Sequence, residues 1–373
     1  MNQTLNSAAQ SISPILKRWA KEHAPSPAER ELVIAWEAQH IGNVWHQNTD
    51  ASEAIASRAE LLQKVVSSFE KTHTHSHSSL NSSLSPALGW SEWIVPLWTL
   101  WLPLAQQLDR KQAELNRPFI QGILGAQGTG KTTLSKMLQI ILAQLGHQTV
   151  SLSLDDLYLT YAKRQALQKT NRQMRWRGPP GTHDITLGLA TLRSLRSADC
   201  KSVSIPQFDK SLHSGQGDQT TPIVCPTPTI VLFEGWFVGA QPLAKAFFNE
   251  AKLPHPITTI EDYQFAQDCN EQLRQYTPMW NFLDDLMVLC PQDYRWSMQW
   301  RRDAEHKMKA EGKAGLSDRE ITEFVTYFWK ALHPDLFIAP LAHSRRTNLV
   351  VYIESDHRVG SLRAPASGYP GPV

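Results

Sequence analysis

Cysteine is scarce in this sequence, and no two cysteines lie close together. Four occur in 373 residues, and no Cys-x-x-Cys pair is present. This spacing argues against a zinc site and provides no disulfide framework. We therefore expect reduced thiols in a reducing compartment, with a redox-sensing pair as the lesser alternative, at Cys200, Cys225, Cys269 and Cys290.

Excess charge and a long uninterrupted apolar run are also missing. Lys and Arg number 37 against 35 for Asp and Glu, so no global field favours nucleic acid or an anionic membrane as a partner. The most membrane-like segment, 90–108, is rich in Trp and Leu but contains Glu92, Pro96 and Pro103. We interpret it as a buried helical hairpin rather than a membrane span.

The first 21 residues contain no acidic residue, and no apolar segment of a secretory signal follows their start. We expect this segment to be the first helix of a cytoplasmic protein, with a plastid transit peptide as the minor alternative. Its apolar residues recur at the spacing of one helical face: Ile12, Ile15, Leu16 and Trp19.

A complete P-loop, Gly125-Ala-Gln-Gly-Thr-Gly-Lys-Thr132, follows the apolar run 119–124 and precedes a helix-like segment. Gly125 and Gly130 allow the backbone to turn, so that successive N–H groups can hold a phosphate. Lys131 is expected to reach the β- and γ-phosphates of ATP, and the Thr132 hydroxyl to bind Mg²⁺. The predicted nucleotide-binding residues are contiguous: Gly125, Ala126, Gln127, Gly128, Thr129, Gly130, Lys131, Thr132 and Thr133.

Short apolar runs alternate with helical patterns after residue 117, at 119–124, 148–154, 229–233, 286–290 and 347–353. This alternation predicts an α/β domain whose mostly parallel sheet has helices on both faces. We expect three parts: a helical region over 1–116 with a flexible loop near 72–86, the P-loop domain over 117–358, and a disordered tail over 359–373.

Carboxylates follow two of the predicted strands. Asp155 and Asp156 come after the run 148–154, and Glu234 comes after the run 229–233. Ligands of such sheets bind beyond the carboxyl ends of the strands. Beside a P-loop, these groups can hold Mg²⁺ or accept the proton of an attacking hydroxyl. For either Asp, a helix cap or turn residue is the structural alternative.

The class of P-loop protein follows from further absences. No Asn-Lys-x-Asp or Asp-x-x-Gly sequence occurs, which excludes a GTPase, and no apolar run ends in Asp-Glu as in a hydrolytic motor. A P-loop kinase fold acting on a small hydroxyl compound needs only a P-loop, Mg²⁺, a base and groups that hold the acceptor. A nucleotide-binding regulatory protein without turnover is the alternative from another class.

Beyond these features, the P-loop, Ser153-Leu-Asp-Asp-Leu-Tyr158 and Val231-Leu-Phe-Glu-Gly-Trp236 resemble the phosphoribulokinase/uridine kinase superfamily. Over about residues 117 to 355, the chain resembles the D-glycerate 3-kinases of the plant and cyanobacterial type. Five further segments carry this resemblance: Gly181–Asp184, Pro206–Ser211, His213–Asp218, Asn270–Tyr276 with Trp280, and Gln299–Glu305.

The resemblance implies transfer of phosphate from ATP to the 3-hydroxyl of D-glycerate, a photorespiratory reaction that gives 3-phosphoglycerate. It implies that Asp155 is the base, that Glu234 organises Mg²⁺ with Thr132, and that Asp156 assists or caps the turn. Other acceptors known in the superfamily are the alternatives: a nucleoside, pantothenate or a pentose phosphate.

Glycerate carries a carboxylate, so its site is expected to contain Arg or Lys. Lys210 is the strongest candidate because glycines follow it and permit close approach of a small ligand. The other candidate cations are Arg175, Arg177, Arg301 and Arg302. The acceptor's hydroxyls are expected to contact Tyr158, His183 or Asp184.

Arg301 and Arg302 also match the lid that closes on the phosphates in related kinases, where one of them would be catalytic. A solvated helix is the alternative, because Arg301 and Glu305 have the spacing of an ordinary i,i+4 ion pair. The segment 354–358, after the last predicted strand, is expected near the adenine.

Overall fold

The computed structural model describes residues 5–21, 23–42, 44–45, 50–75, 90–250, 252–312 and 315–364. The helices before the sheet are α1 Leu5–Ala8, α2 Ser13–Trp19, α3 Pro27–His40, α4 Ala51–His75, α5 Trp90–Pro96 and α6 Leu102–Ala113. The later helices are α7 Lys131–Gln144, α8 Tyr161–Thr170, α9 Ile185–Arg196, α10 Phe247–Glu250, α11 Ile260–Leu273, α12 Thr277–Trp280, α13 Trp296–Ala310, α14 Asp318–Ala331 and α15 Pro334–Ala342.

The strands form a main sheet of order β2-β5-β1-β6-β7-β8 and a separate β3–β4 hairpin. In the main sheet only β8 is antiparallel to its neighbour. The mostly parallel α/β sheet predicted from the sequence is therefore confirmed. The strands are β1 Phe119–Gly125, β2 Thr149–Ser153, β3 Ser202–Asp209, β4 Asp218–Pro226, β5 Ile230–Gly235, β6 Asp285–Pro291, β7 Leu349–Ile353 and β8 Val359–Arg363.

Helices cover both faces of this sheet, which explains why every residue of β1 is buried. Side chains of a strand alternate between the two faces. Phe119 and Ile123 accordingly pack with α7 and the helices before the sheet. Ile120 and Leu124 pack on the other face, with residues of α9, α11, α12 and α15.

The N-terminal helices share the core of one sheet face. Trp19 and Leu16 of α2 are fully buried in it, which supports the interpretation of this segment as a domain helix. A buried ion pair of Arg58 with Glu37 joins α4 to α3 at 2.6 Å. The Trp98 indole donates to the same carboxylate at 2.7 Å, so the charge of Glu37 is compensated where water is excluded.

The helical hairpin predicted for 90–108 is wrong, although the segment is largely buried. A π-helical turn, Leu97–Trp101, joins α5 to α6 without a reversal of direction. Pro96 ends α5 and Pro103 lies at the start of α6. Pro103 has no N–H to donate, and the Thr99 carbonyl one turn earlier accepts the Trp45 indole N–H at 3.0 Å instead. The described residues contain no helix of the length and apolarity that a membrane crossing requires.

Two predicted boundaries also change. The tail predicted to be disordered from residue 359 contains β8 over 359–363, which forms hydrogen bonds with β7. Residues 365–373 lie outside the described residues. Of the flexible loop predicted near 72–86, residues 72–75 belong to α4, which continues to His75; residues 76–89 lie outside the described residues.

Candidate active site

The P-loop joins β1 to α7 at the carboxyl edge of the sheet. Gly128 and Gly130 have φ of 83° and 86°, the left-handed region that favours glycine. A Cβ on Gly125 would lie 2.5 Å from the Thr129 hydroxyl, so this position also requires glycine. The Lys131 ammonium donates to the Ala126 carbonyl at 3.0 Å, inside the loop. Burial lowers the pKa of Lys131, while Glu234 and Asp155 oppose that shift.

Glu234 lies where the P-loop helix meets the end of β5. The Thr132 hydroxyl donates to its Oε1 at 3.3 Å. Its Oε2 is buried without a hydrogen-bond partner in the described structure, and burial raises the pKa of this carboxyl. A hydroxyl and a free carboxylate oxygen are hard ligands that suit Mg²⁺, whose remaining ligands in kinases are phosphates and water. Thr132 and Glu234 therefore fit the metal that the sequence predicted.

Asp156 takes the capping role that was its alternative. Its Oδ2 accepts the Ser153 N–H at 3.1 Å, and the Ser153 hydroxyl in turn accepts the Asp155 N–H at 3.2 Å. Burial raises the pKa of Asp156 to about 6. These bonds hold the turn after β2, so Asp156 positions its neighbour, and a direct place for it in the metal site stays a prediction.

Asp155 lies in the turn after β2 and has two hydrogen-bond partners. Its Oδ1 accepts the Tyr158 hydroxyl at 2.8 Å, and its Oδ2 accepts the Lys210 ammonium at 2.6 Å. Burial raises the pKa of Asp155, but the charge and hydrogen bond of Lys210, together with the Tyr158 hydroxyl and His183, bring this pKa below its usual value. Asp155 is therefore an ionised carboxylate at neutral pH, as a proton acceptor must be.

Lys210 reaches Asp155 from the turn between β3 and β4, a hairpin that the sequence did not predict. The Asp209 carboxylate accepts the Ser211 N–H at 2.8 Å and holds the start of this turn. Arg177 donates to the carbonyls of Gly215 and Gln216, at 2.8 Å each. Arg177, a predicted carboxylate ligand, thus anchors the loop that carries Lys210.

The segment after Gly181 contains His183, which packs on Tyr158, and Asp184, which caps α9. Asp184 is the N-cap of α9, accepting the Leu187 N–H at 3.0 Å, and it also pairs with Lys163. Its carboxylate thus caps the helix and binds Lys163, and its contact with the acceptor stays a prediction. His183 is buried beside Tyr158, with ring centroids 4.6 Å apart, and burial lowers its pKa to about 3.

Tyr276 contacts His183 and received no role from the sequence. Its hydroxyl lies 2.7 Å from His183 Nδ1 and accepts the Gly181 N–H at 2.9 Å. Its segment, Asn270–Tyr276, is one of those that carry the family resemblance, which was the available signal. Spacing does not reveal the contact, because His183 and Tyr276 are 93 positions apart.

The predicted lid arginines lie on α13 and contact α14. Arg301 pairs with Glu305 of its own helix and its guanidinium lies 5.3 Å from the centroid of the Phe324 ring. Arg302 donates to the Thr322 hydroxyl at 3.1 Å. The i,i+4 ion pair is therefore present, and closure on the phosphates stays a prediction. The Arg175 guanidinium, on the loop after α8, lies 4.9 Å from the centroid of the Trp176 ring, and its contact with the substrate carboxylate stays a prediction.

Two cavities flank the P-loop. One, of about 790 Å³, is lined by Gly128 and Thr133 of the P-loop region and by 356–359. Here His357 Nδ1 lies 2.7 Å from the Gly128 carbonyl oxygen, so the segment predicted near the adenine contacts the P-loop. The other, of about 840 Å³, is lined by Ala126 and Gln127 together with residues of α14 and α15. Both are large enough for part of a nucleotide.

No family model matches the sequence. The chain is 35% identical over 229 residues to a fission yeast protein, the uncharacterized kinase mug58 of Schizosaccharomyces pombe; the match covers 59% of this chain and 82% of that protein. The chain belongs to this kinase family. A second relative is the chloroplastic D-glycerate 3-kinase of Arabidopsis thaliana, 32% identical over 59% of this chain and 49% of that protein.

A solved structure confirms the fold of these kinases. The D-glycerate 3-kinase of Cryptococcus neoformans var. grubii matches with a TM-score of 0.58 and 24% identity, over 70% of this chain and 99% of that one. The α/β P-loop kinase fold is therefore established for the present chain. The kinase function predicted from the P-loop and the two strand-end carboxylates is confirmed by the relationship to the fission yeast kinase.

Proposed function

We propose that this kinase transfers the γ-phosphate of ATP to the 3-hydroxyl of D-glycerate, giving 3-phosphoglycerate and ADP. The main support for this proposal is the position of Asp155, an ionised carboxylate within hydrogen-bond distance of both Lys210 and Tyr158. A base beside an ammonium group suits an acceptor that has a hydroxyl and a carboxylate. The names of the Arabidopsis and Cryptococcus proteins support the choice of D-glycerate.

Each half of the site has a separate task. On the nucleotide side, Lys131 and the P-loop N–H groups would hold the phosphates, while Thr132 and Glu234 would hold Mg²⁺. The metal supplies charge neutralisation on the transferred phosphate. On the acceptor side, Asp155 would orient the 3-hydroxyl and take its proton. Lys210, which is 58% exposed, is free to turn from Asp155 toward the substrate carboxylate.

A coupled ADP-release assay tests this proposal. D-glycerate is compared with uridine, pantothenate and ribulose 5-phosphate at equal concentration, and product analysis identifies the phosphorylated carbon. Turnover of D-glycerate to the 3-phosphate supports the proposal. Faster turnover of any of the other three acceptors, or a 2-phosphate product, contradicts it.

Two variants locate the activity at this site. Lys131→Ala should abolish turnover because the phosphates lose their cation, and Lys201→Ala, at an exposed position before β3, is the matched control. A cytoplasmic location and a photorespiratory role complete the proposal; fractionation of the source cells and growth under photorespiratory conditions are their tests.

A further inference from the structure

His183 is held beside the proposed base by backbone pairing. The Leu159 N–H donates to the Thr182 carbonyl at 3.0 Å, and the Asp184 N–H donates to the Leu157 carbonyl at 2.7 Å. This short antiparallel contact places the His183 ring on the Tyr158 ring. Since the Tyr158 hydroxyl donates to Asp155, the His183 imidazole and the Asp155 carboxylate both contact Tyr158. Asp155 and His183 also perturb each other's pKa.

The contacts of Tyr276 determine which nitrogen of His183 carries the proton. Its phenolic oxygen accepts the Gly181 N–H at 2.9 Å, and the His183 backbone N–H also interacts with it. Tyr276 is fully buried, so its O–H requires an acceptor. His183 Nδ1, at 2.7 Å, is that acceptor only if Nδ1 has no proton. The proton of the neutral ring is then on Nε2.

This arrangement leaves one donor without a partner. His183 Nε2 is buried and makes no hydrogen bond in the described structure, and the whole residue is 4% exposed. A buried N–H without a partner is costly, so a ligand or a bound water is expected at this position. The opposite tautomer would leave both Nε2 and the Tyr276 hydroxyl unsatisfied.

We propose that His183, protonated on Nε2, donates a hydrogen bond to the 2-hydroxyl oxygen of the acceptor, and that Tyr276 is the positioning residue that fixes this tautomer. The inference rests on the proposed function. The neutral Nε2–H of His183, beside Asp155, suits the neutral 2-hydroxyl of D-glycerate. This hydroxyl is on the carbon next to the one that carries the reacting 3-hydroxyl. The carboxylate is better matched by the ammonium of Lys210.

The first test compares D-glycerate with 3-hydroxypropanoate, which lacks only the 2-hydroxyl. The ratio of their kcat/KM values should fall at least about tenfold in His183→Phe, because an aromatic ring without a donor no longer favours the hydroxyl. His183→Gln, which keeps an N–H donor, should retain most of the preference. An unchanged ratio in His183→Phe would show that His183 is structural and overturn the proposal.

The second test reads the tautomer directly. Long-range ¹H–¹⁵N spectra of ¹⁵N-histidine-labelled protein, with His183 assigned by its absence in the variant, should show the proton on Nε2. Tyr276→Phe should mix the two tautomers and lower the substrate preference. Tyr327→Phe is the matched control, because it removes the hydroxyl of another buried tyrosine, bonded to the Gln173 carbonyl at 3.0 Å. Thermal melting checks that each variant is folded.

The two proposals fail separately. If the wild type does not phosphorylate D-glycerate, the proposed function fails and the 2-hydroxyl assignment fails with it, whereas the spectra still decide the tautomer. If D-glycerate is phosphorylated but the proton resides on Nδ1, the inference alone is wrong.

Discussion

Replacement of Lys210 by Met tests how the acceptor half of the site works. The Lys210 ammonium lies 2.6 Å from Asp155 Oδ2 and counteracts the rise that burial causes in the pKa of this carboxyl. Without Lys210 that pKa should rise. Because Asp155 must be ionised to accept a proton, the acid limb of the kcat/KM profile should move to higher pH.

The same change should weaken substrate binding. A hydrogen bond to a charged group contributes about 1.5–3 kcal/mol, so the loss of one predicts a fall in kcat/KM for D-glycerate of roughly ten- to a hundredfold at neutral pH. Since Lys210 is 58% exposed, the lower part of this range is expected. The assay is initial-rate ADP release between about pH 3 and 8, chosen to bracket the carboxyl and imidazole range.

Lys163→Met provides a closely matched control. Lys163 is 60% exposed and also pairs with a carboxylate, that of Asp184 at 3.0 Å, but this carboxylate caps α9. Its removal should leave the acid limb where it is in the wild type. If Lys210→Met also leaves the acid limb unmoved, the assignment of Asp155 as a base tuned by Lys210 is refuted.

Three further predictions concern the P-loop side and the buried imidazole. Glu234→Gln should raise the Mg²⁺ concentration for half-maximal activity about ten- to a hundredfold, because an amide does not offset the metal's charge; an unchanged Mg²⁺ titration would remove Glu234 from the metal site. Gly128→Ala should lower the free energy of unfolding by at least about 1 kcal/mol more than Gly146→Ala in urea denaturation. Both glycines have positive φ, but only at Gly128 would the new Cβ lie 2.8 Å from Trp300, so equal losses would count against this packing. In the unfolded state His183 should bind a proton below about pH 6.5, whereas in the folded state burial lowers its pKa to about 3. The free energy of unfolding should therefore fall as the pH drops from about 6.5 toward 3. His183→Gln should remove that part of the pH dependence, and an equally steep dependence in the variant would show that other groups cause it.

The strands and the P-loop were predictable because their sequence signals are local. Phe119–Gly125 is buried on both faces and therefore reads as a continuous apolar run. Asp155 and Glu234 were found because the carboxyl ends of parallel strands meet at one edge of the sheet. Their closeness is visible in the register, where Ser153 pairs with Glu234.

The β3–β4 hairpin was missed because its second strand has no buried face. Ile223 and Val224 of β4 are 57% and 68% exposed, so the strand lacks the alternation of apolar and polar residues that marks a half-buried strand. The edge strand β8 is short and partly polar, and it resembles a tail in sequence. Both strands are held by pairing with a neighbour, which sequence periodicity does not report.

The roles of individual polar residues depend on contacts between distant parts of the chain. Asp184 directly precedes α9, so its sequence position was equally compatible with a helix-capping role. Arg177 reaches the carbonyls of a loop 38 residues later, at Gly215. The contact of Tyr276 with His183 likewise requires the fold to be formed. The nucleotide half of the site was therefore more predictable than the acceptor half.

The rate of D-glycerate phosphorylation by Asp155→Asn tests the central claim most directly. Asn preserves the size of the side chain but does not accept the proton, so kcat should fall at least about a hundredfold. Asp199→Asn, at an exposed position, is the control for the substitution itself, and equilibrium binding of ATP should be the same in both variants. A loss of this size with D-glycerate, with intact ATP binding, is the predicted result. Turnover by Asp155→Asn equal to that of the wild type would contradict the account.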